Sequence, residues 1–273
     1  MSLTSQYIQQ TQTMLTTIEQ QTEAIQQAAR WFSHTILAGR MVHLFGSGHS
    51  RIMVEEMWPR YGSFPGFNPI VELSLSFHNL VVGANGQRQA MFLENVPGLA
   101  DRILRNYDLS KQDSALIISS SGCNIVPIEM AEICQQQGLR VVALVTKHHA
   151  EKSLSKRTDG KKLGDFADLV LDTGAPAGDA MIQVPGLDTP VSPGSTVGGA
   201  VIVNCIKAEV ARLLTEAGQP PKVLSAANVV GAERAVTLFE SAYDEHAHRL
   251  AKLYERVGIP STVSEQSHSD TPN

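Results

Sequence analysis

An α/β fold, with a parallel sheet covered by helices on both faces, is what the sequence predicts. Three features predict it. Short, continuous apolar runs alternate with helical stretches, the pattern of strands buried on both sides. The chain has 273 residues, 42% of them hydrophobic and 18% charged, a mix that buries a sizeable core. No internal repeat or linker interrupts residues 40–215.

The elements follow in order. Ile18, Ile25, Ala29, Phe32 and Ile36 recur at helical spacing in a Gln- and Thr-rich stretch with few charges, so one long helix is expected over 5–38. Such a face packs either on the core or on a partner subunit. Met41 to Phe45, closed by Gly46, reads as a buried strand, and Ile52 to Tyr61 as a helix stopped near Pro59. Pro69 to Leu73 is a second strand. Val96 to Asn106 reads as a helix with Pro97 in its first turn, where proline is tolerated. Ala115 to Ile118 is a third strand, Pro127 to Gln137 a helix closed by Gly138, and Arg140 to Val145 a fourth strand. Asp168 to Leu171 is a fifth, followed by helices over Thr196 to Leu214 and Ala232 to Val257. Ser74 to Leu93 fits neither period, and long irregular segments in such folds are often functional. The division expected is an N-terminal helix over 1–38, one α/β domain over 39–217, a helical extension over 218–257 and a disordered tail over 258–273.

Composition excludes several classes. Lys and Arg total 22 against 27 Asp and Glu, a formal charge of −5, which gives no footprint for nucleic acid. No apolar run approaches the roughly 18 residues that span a bilayer. The first ten residues lack a basic start followed by an apolar stretch, so a signal peptide is not expected. Cys123, Cys134 and Cys205 are too few and scattered for a disulfide framework or a zinc site. A cytoplasmic protein without membrane or nucleic-acid partners is the expectation.

In open parallel sheets ligands bind beyond the carboxyl ends of the strands. After the first strand comes Gly46-Ser47-Gly48-His49-Ser50. Its glycines let backbone approach a ligand, although a plain tight turn explains them equally. After the third strand comes Ser119-Ser120-Ser121-Gly122-Cys123-Asn124. Three hydroxyls and an amide at a helix start exceed what one cap needs, and suit an anion such as phosphate. No lysine makes this a Walker loop. Asp179 follows the fifth strand, and Ser195 and Thr196 open a further helix. Either hydroxyl would serve as a simple cap. Small polar groups gathered on one sheet edge suit a phosphorylated, hydroxyl-rich ligand.

This combination of loops and strand order resembles the SIS (sugar isomerase) family over residues 35–215. The resemblance implies a five-stranded parallel sheet of flavodoxin-like type and phosphosugar binding. It implies phosphate contacts from Ser119, Ser121 and Asn124, with Ser120, Gly46, Ser47, Gly48, Ser50, Asp179, Ser195 and Thr196 as further candidate substrate residues. The family's serine loop usually ends in Thr, where this chain has Asn124. The long N-terminal helix is similar to that of the phosphoheptose isomerase subgroup, which implies a homodimer or homotetramer.

Aldose–ketose isomerisation needs a base to move a proton between carbons, and an acid/base partner. The run from Val82 to Glu94 resembles a region of the N-acetylmuramic acid 6-phosphate etherases, which implies that Glu94 is catalytic; a glutamate favoured by a helix start is the competing reading. His49 and His78 are the candidate partners, and Glu55 and Glu56 the alternative carboxylates. His43 alternates into the sheet and reads as a core histidine. His148 and His149 read equally as mouth or surface residues, and Asp244, Glu245, His246 and His248 as a solvated helix face. No histidine spacing suggests a metal, and no cofactor is expected. The leading expectation is a sugar-phosphate isomerase. An etherase-like lyase and a non-catalytic phosphosugar sensor are the alternatives.

Overall fold

The computed structural model describes residues 1–76 and 87–255. His78, the stretch from Val82 to Gly86 and the tail from Gly258 to Asn273 lie outside the described residues. The strands are β1 (Val42–Gly46), β2 (Phe67–Ile70), β3 (Ser114–Ile118), β4 (Arg140–Val145) and β5 (Leu169–Asp172); β2 begins and ends earlier than the run from Pro69 to Leu73 suggests, because Val71 and Leu73 are exposed and leave the sheet. The strands make one parallel sheet in the order β2-β1-β3-β4-β5. This is the flavodoxin-like order, and the chain reverses its direction of winding between β1 and β3.

Both faces of the sheet are apolar, as uninterrupted hydrophobic strands require. Val42, Leu44, Leu116, Ile118, Val142 and Leu144 face one layer, with helices α2 (Thr22–Leu37), α3 (Arg51–Met57) and α9 (Ser195–Glu216). Phe45, Ala115, Ile117, Val141 and Ala143 face the other, with α6 (Leu99–Leu104) and α7 (Ile125–Gln136). Two-residue alternation therefore sorts each strand between two cores.

The N-terminal region differs from expectation. It is two helices, α1 (Leu3–Glu19) and α2, broken at Gln20 and Gln21. No Gly or Pro causes the break. Gln21 is drawn to the free edge of β5, where Asp172 N donates to its Oε1 at 2.8 Å and its Nε2 donates to Asp172 O at 2.9 Å. The side-chain amide thus stands in for the peptide of a missing sixth strand. Ile18, Ile25, Ala29, Phe32 and Ile36 are all buried in the chain's own core. The exposed apolar residues of α1 are Leu3, Ile8 and Leu15.

Two further helices are shorter than their sequences suggest. α3 stops at Met57, where Trp58, ahead of Pro59, is extended. α6 starts only at Leu99: Gly98 is left-handed, and its N–H donates to the Glu129 carboxylate at 2.9 Å. Part of the segment from Ser74 to Leu93 is helical, in α4 (Leu73–Ser76) and α5 (Gln87–Leu93). Only Ala90 of α5 is buried, so no apolar stripe announces it. The chain adds short helices α8 (Lys147–Lys152) and α10 (Ala227–Val230), and closes with α11 (Ala232–Tyr254). Arg249 of α11 donates to the carbonyls of Ile36 and Arg40, which ties α11 to the end of α2 and the turn after it. Among the described residues no helix is long and apolar enough to cross a membrane.

Candidate functional site

The two loops singled out in the sequence leave the sheet side by side, where its winding reverses. Gly46 ends β1 under tight restraint: a Cβ there would lie 2.6 Å from Ser50 O. Ser47 is buried, and Gly48–Ser50 form a single 3-10 turn into α3. Beyond β3, Gly122 takes φ 61°, a conformation that favours glycine, and turns the serine loop into α7.

Glu94 lies between these loops and joins them. Ser47 Oγ donates to Glu94 Oε2 at 2.6 Å, and Asn124 Nδ2 donates to Glu94 Oε1 at 2.7 Å. The Glu94 carbonyl also accepts from Val126 N, in the first turn of α7, at 2.9 Å. The competing reading of Glu94 as a helix-start residue fails here, since it follows the end of α5 and its carbonyl serves α7. Burial pushes the Glu94 carboxyl above its ordinary pKa, while the Ser47 hydrogen bond pulls it back.

A cavity of about 280 Å³ opens at this carboxylate. Its lining includes Ser47, Gly48, His49, Ser50, Glu94 and Thr196, all singled out from sequence. Gln87, Ala90 and Met91 of α5, together with Pro193, complete the wall. Sequence reasoning missed these four, because α5 carries no periodic signal and Pro193 reads as an ordinary loop proline.

Asp179 also lines the cavity, but its carboxylate is engaged. It accepts from Gly194 N at 3.0 Å, Ser195 N at 2.7 Å and Ser195 Oγ at 2.6 Å. Asp179 therefore caps α9 from a distance, at a positive φ of 52°. Ser195 answers to that carboxylate, and the negative charge offsets the pull of α9's start on an anion.

The serine loop divides by its hydrogen bonds. Ser120 Oγ donates to Thr146 Oγ1 at 3.0 Å, which turns it toward the buried Thr146–Thr173 pair. Ser119 and Ser121 use their oxygens as acceptors, from Gly122 N at 3.2 Å and Cys123 N at 3.3 Å. Their hydroxyl protons stay available. Among the described residues, the N–H groups of Ser121, Asn124 and Ile125 have no acceptor. None of Ser119, Ser121 and Asn124 lines the 280 Å³ cavity; their loop is tied to it only through the Asn124 bond to Glu94.

Other candidates lie elsewhere. Glu55 is exposed and pairs with Arg51 at 3.4 Å. Glu56 accepts from Asn204 and Arg60; burial opposes its ionisation, but those bonds hold its pKa below the usual range. Both line a separate cleft of about 630 Å³ between α3 and α11. His149 Nδ1 accepts from Gly178 N at 2.8 Å, and His148 is exposed. His246 is half-buried with its ring 5.2 Å from Trp58, so part of the face read as solvated packs inward. His43 is fully buried in the sheet, as its alternation implies. Among the described residues no three of His, Cys, Asp and Glu converge to hold a metal ion.

The SIS domain family matches residues 6–146. The chain belongs to the SIS domain family. Its SIS match runs from α1 through β4 and contains both loops and Glu94, while Asp179, Pro193 and Thr196 come from beyond it. A UPF0309 protein of Halalkalibacterium halodurans is 33% identical over 79% of this chain and 86% of its own. A UPF0309 protein of Thermoanaerobacter pseudethanolicus is 33% identical over 86% of this chain and 90% of its own. Among solved structures, the Vibrio vulnificus NanR protein complexed with ManNAc-6P covers 86% of this chain and 67% of its own, at 13% identity and a TM-score of 0.41. A likeness of that degree does not bear on the SIS site of this chain.

Proposed function

We propose that the cleft between the loops after β1 and β3 binds a sugar phosphate, and that Glu94 is the general base of an aldose–ketose isomerisation. One observation carries this reading: a half-buried carboxylate held by Ser47 and Asn124, facing a cavity of about 280 Å³. Membership of the SIS domain family supports it. The phosphate lies on the serine loop, against the hydroxyls of Ser119 and Ser121 and the open N–H groups at the start of α7. The sugar extends along Glu94 toward His49.

The chemistry follows from this placement. A carboxylate held mainly by neutral donors in a partly desolvated site is a stronger base than one in water. Glu94 removes the proton from the carbon next to the sugar carbonyl, giving an enediol, and returns it to the neighbouring carbon. His49, lining the same cavity, is the acid/base group placed to move the proton between the two oxygens. The same lone carboxylate suits elimination of an ether from an amino-sugar phosphate, since Asp179 is bound to α9 and offers no second free carboxylate.

The test is a binding screen over sugar phosphates, followed by NMR of the best binder in D2O. Isomerisation incorporates solvent deuterium and interconverts aldose and ketose; elimination releases a second product. Glu94→Gln is expected to leave binding intact and lower turnover by roughly 10²–10⁴-fold, the usual contribution of a positioned base. Ser121→Ala is expected to weaken the phosphorylated ligand by about 1–3 kcal/mol and to spare the unphosphorylated sugar. Near-normal turnover in Glu94→Gln would remove Glu94 from the mechanism. Binding without turnover or exchange for every sugar phosphate would make the protein a sensor.

A further inference from the structure

The buried residues of α11 are Ala242 and Leu253, so the stretch from Ala232 to Ser241 buries no side chain. A helix in water draws most of its stability from packing an amphipathic face, and this stretch has such a face uncovered. Val236, Phe239, Tyr243, His246, Leu250 and Leu253 follow at alternating steps of three and four, the spacing of a seam that packs on another helix. The chain's own body covers the C-terminal part of the seam. The Tyr243 and His246 rings lie 5.4 and 5.2 Å from the ring of buried Trp58, and Leu253 is buried. The N-terminal part is open. Val236 is 61% exposed, and Phe239, whose ring lies 4.8 Å from that of Tyr243, is exposed as well.

Beside this open end lies the cleft of about 630 Å³ between α3 and α11, walled by Ile52, Tyr61, Leu224, Phe239 and Tyr243. Ile52 and Tyr61 are exposed. An apolar stripe next to an apolar cleft on one protomer is what a two-fold interface needs, since each copy offers the stripe that the other's cleft receives. The charges agree. Arg234, beside the stripe, is in no ion pair among the described residues. Glu55, at the cleft, is exposed and 3.4 Å from Arg51. α11 as a whole carries four Asp and Glu against three Arg and Lys, which does not suit an anionic lipid surface. The N-terminal helices present less, because Ile18, Ile25, Ala29, Phe32 and Ile36 lie in the chain's own core.

We infer that the first half of α11 is a self-docking surface: two copies of the chain pair there, Val236 of each entering the other's cleft and Arg234 of each meeting Glu55 of the other. The inference is independent of the phosphosugar reading, since this cleft shares no lining residue with the cavity at Glu94.

The test is sedimentation velocity of the full chain. A dimer is expected at micromolar concentration, and a monomer overturns the inference. Val236→Glu, at an exposed position, is expected to raise the dimer dissociation constant roughly tenfold or more and to leave thermal unfolding of the dilute protein unchanged. Unaltered affinity in Val236→Glu is the contrary result. Arg234→Glu and Glu55→Arg are each expected to weaken pairing, and the two together to restore it; a double variant weaker than either single one overturns the stated contact. Leu15→Glu, on the exposed face of α1, is the control. A dimer lost in Leu15→Glu and kept in Val236→Glu would move the interface to the N-terminal helices and overturn the inference. Hydrogen exchange on the unsubstituted chain gives a reading without any variant. Amides over 232–241 are expected to slow as concentration rises through the monomer–dimer transition, and exchange there that ignores concentration contradicts the inference.

Discussion

Two carboxylates, Asp113 fully buried and Glu94 half-buried, lie at opposite ends of the same sheet and respond to burial in opposite ways. Asp113, just before β3, sits at the amino ends of the strands; Glu94 sits at the carboxyl ends. Asp113 is met by a cation. Arg40 Nε lies 2.7 Å from its Oδ1 and Nη2 lies 2.8 Å from its Oδ2. His43 Nε2 approaches Oδ2 at 3.3 Å, and Ser110 N donates at 2.8 Å. His43 Nδ1 in turn lies 3.0 Å from Asn68 Nδ2. Burial works to raise the pKa of Asp113, but the bonds from His43 and Arg40 outweigh it and hold it below the ordinary range. Glu94 has the Ser47 hydroxyl and the Asn124 amide, burial prevails, and its pKa rises. The difference teaches how to tell a structural carboxylate from a reactive one. Compensation by charge fixes a group in one protonation state, while neutral donors hold its position and leave its proton negotiable.

Breaking the compensated end should cost the most. Asp113→Ala strands the Arg40 charge beside the sheet and removes a partner of His43. It is expected to destabilise the fold by about 3–5 kcal/mol, the cost of leaving half of a buried pair, seen as a lower urea midpoint. Glu94→Gln should leave stability nearly unchanged at acid pH while abolishing most turnover. Equal destabilisation by both substitutions would erase the contrast.

Asp179→Ala is the next in size. It removes the acceptor for Gly194 N and Ser195 N at the start of α9, and a loss of about 0.5–2 kcal/mol is expected, the range for a helix cap. Gln21→Ala exposes the edge of β5 at Asp172 and is expected to cost about 1 kcal/mol. Faster hydrogen exchange at Asp172 N, with little change at β1 or β3, would locate that loss.

The smallest effect is one of sign. Asp113 has a depressed pKa, so the stability it contributes is present above its unfolded value and is lost as pH falls through its folded value. Glu94 has a raised pKa, so its contribution is present below the unfolded value and is lost as pH rises through the folded one. Glu94→Gln should therefore gain stability relative to the unsubstituted chain as pH rises across that window. Asp113→Asn should remove the acid limb of the curve instead.

How far the sequence reaches is decided by the range of the forces involved. The five strands are legible because two buried faces demand uninterrupted apolar runs, and Arg140–Val145 falls on its predicted bounds. The two loops are legible because open parallel sheets put ligand contacts at strand ends. Gly98 and Gln21 were not legible as breaks. Each answers to a group distant in sequence, the Glu129 carboxylate and the Asp172 backbone. Asp113 carries no motif either; its partners lie 70 and 73 residues away. Glu94 was reached through family resemblance, and the bond that makes Asn124 its holder comes from tertiary packing. Asp179 lines the cavity, and what the sequence did not announce is that its carboxylate also closes α9, because a carboxylate's affinity for open N–H groups applies to a helix as readily as to a ligand's donors.

The most direct measurement titrates both carboxylates in one sample. Carbon-13 NMR of side-chain carboxyls, assigned with Glu94→Gln and Asp113→Asn, follows each midpoint without substrate. The account predicts that Glu94 titrates above the ordinary glutamate value and Asp113 below the ordinary aspartate value. A Glu94 midpoint at or below the ordinary value would contradict it.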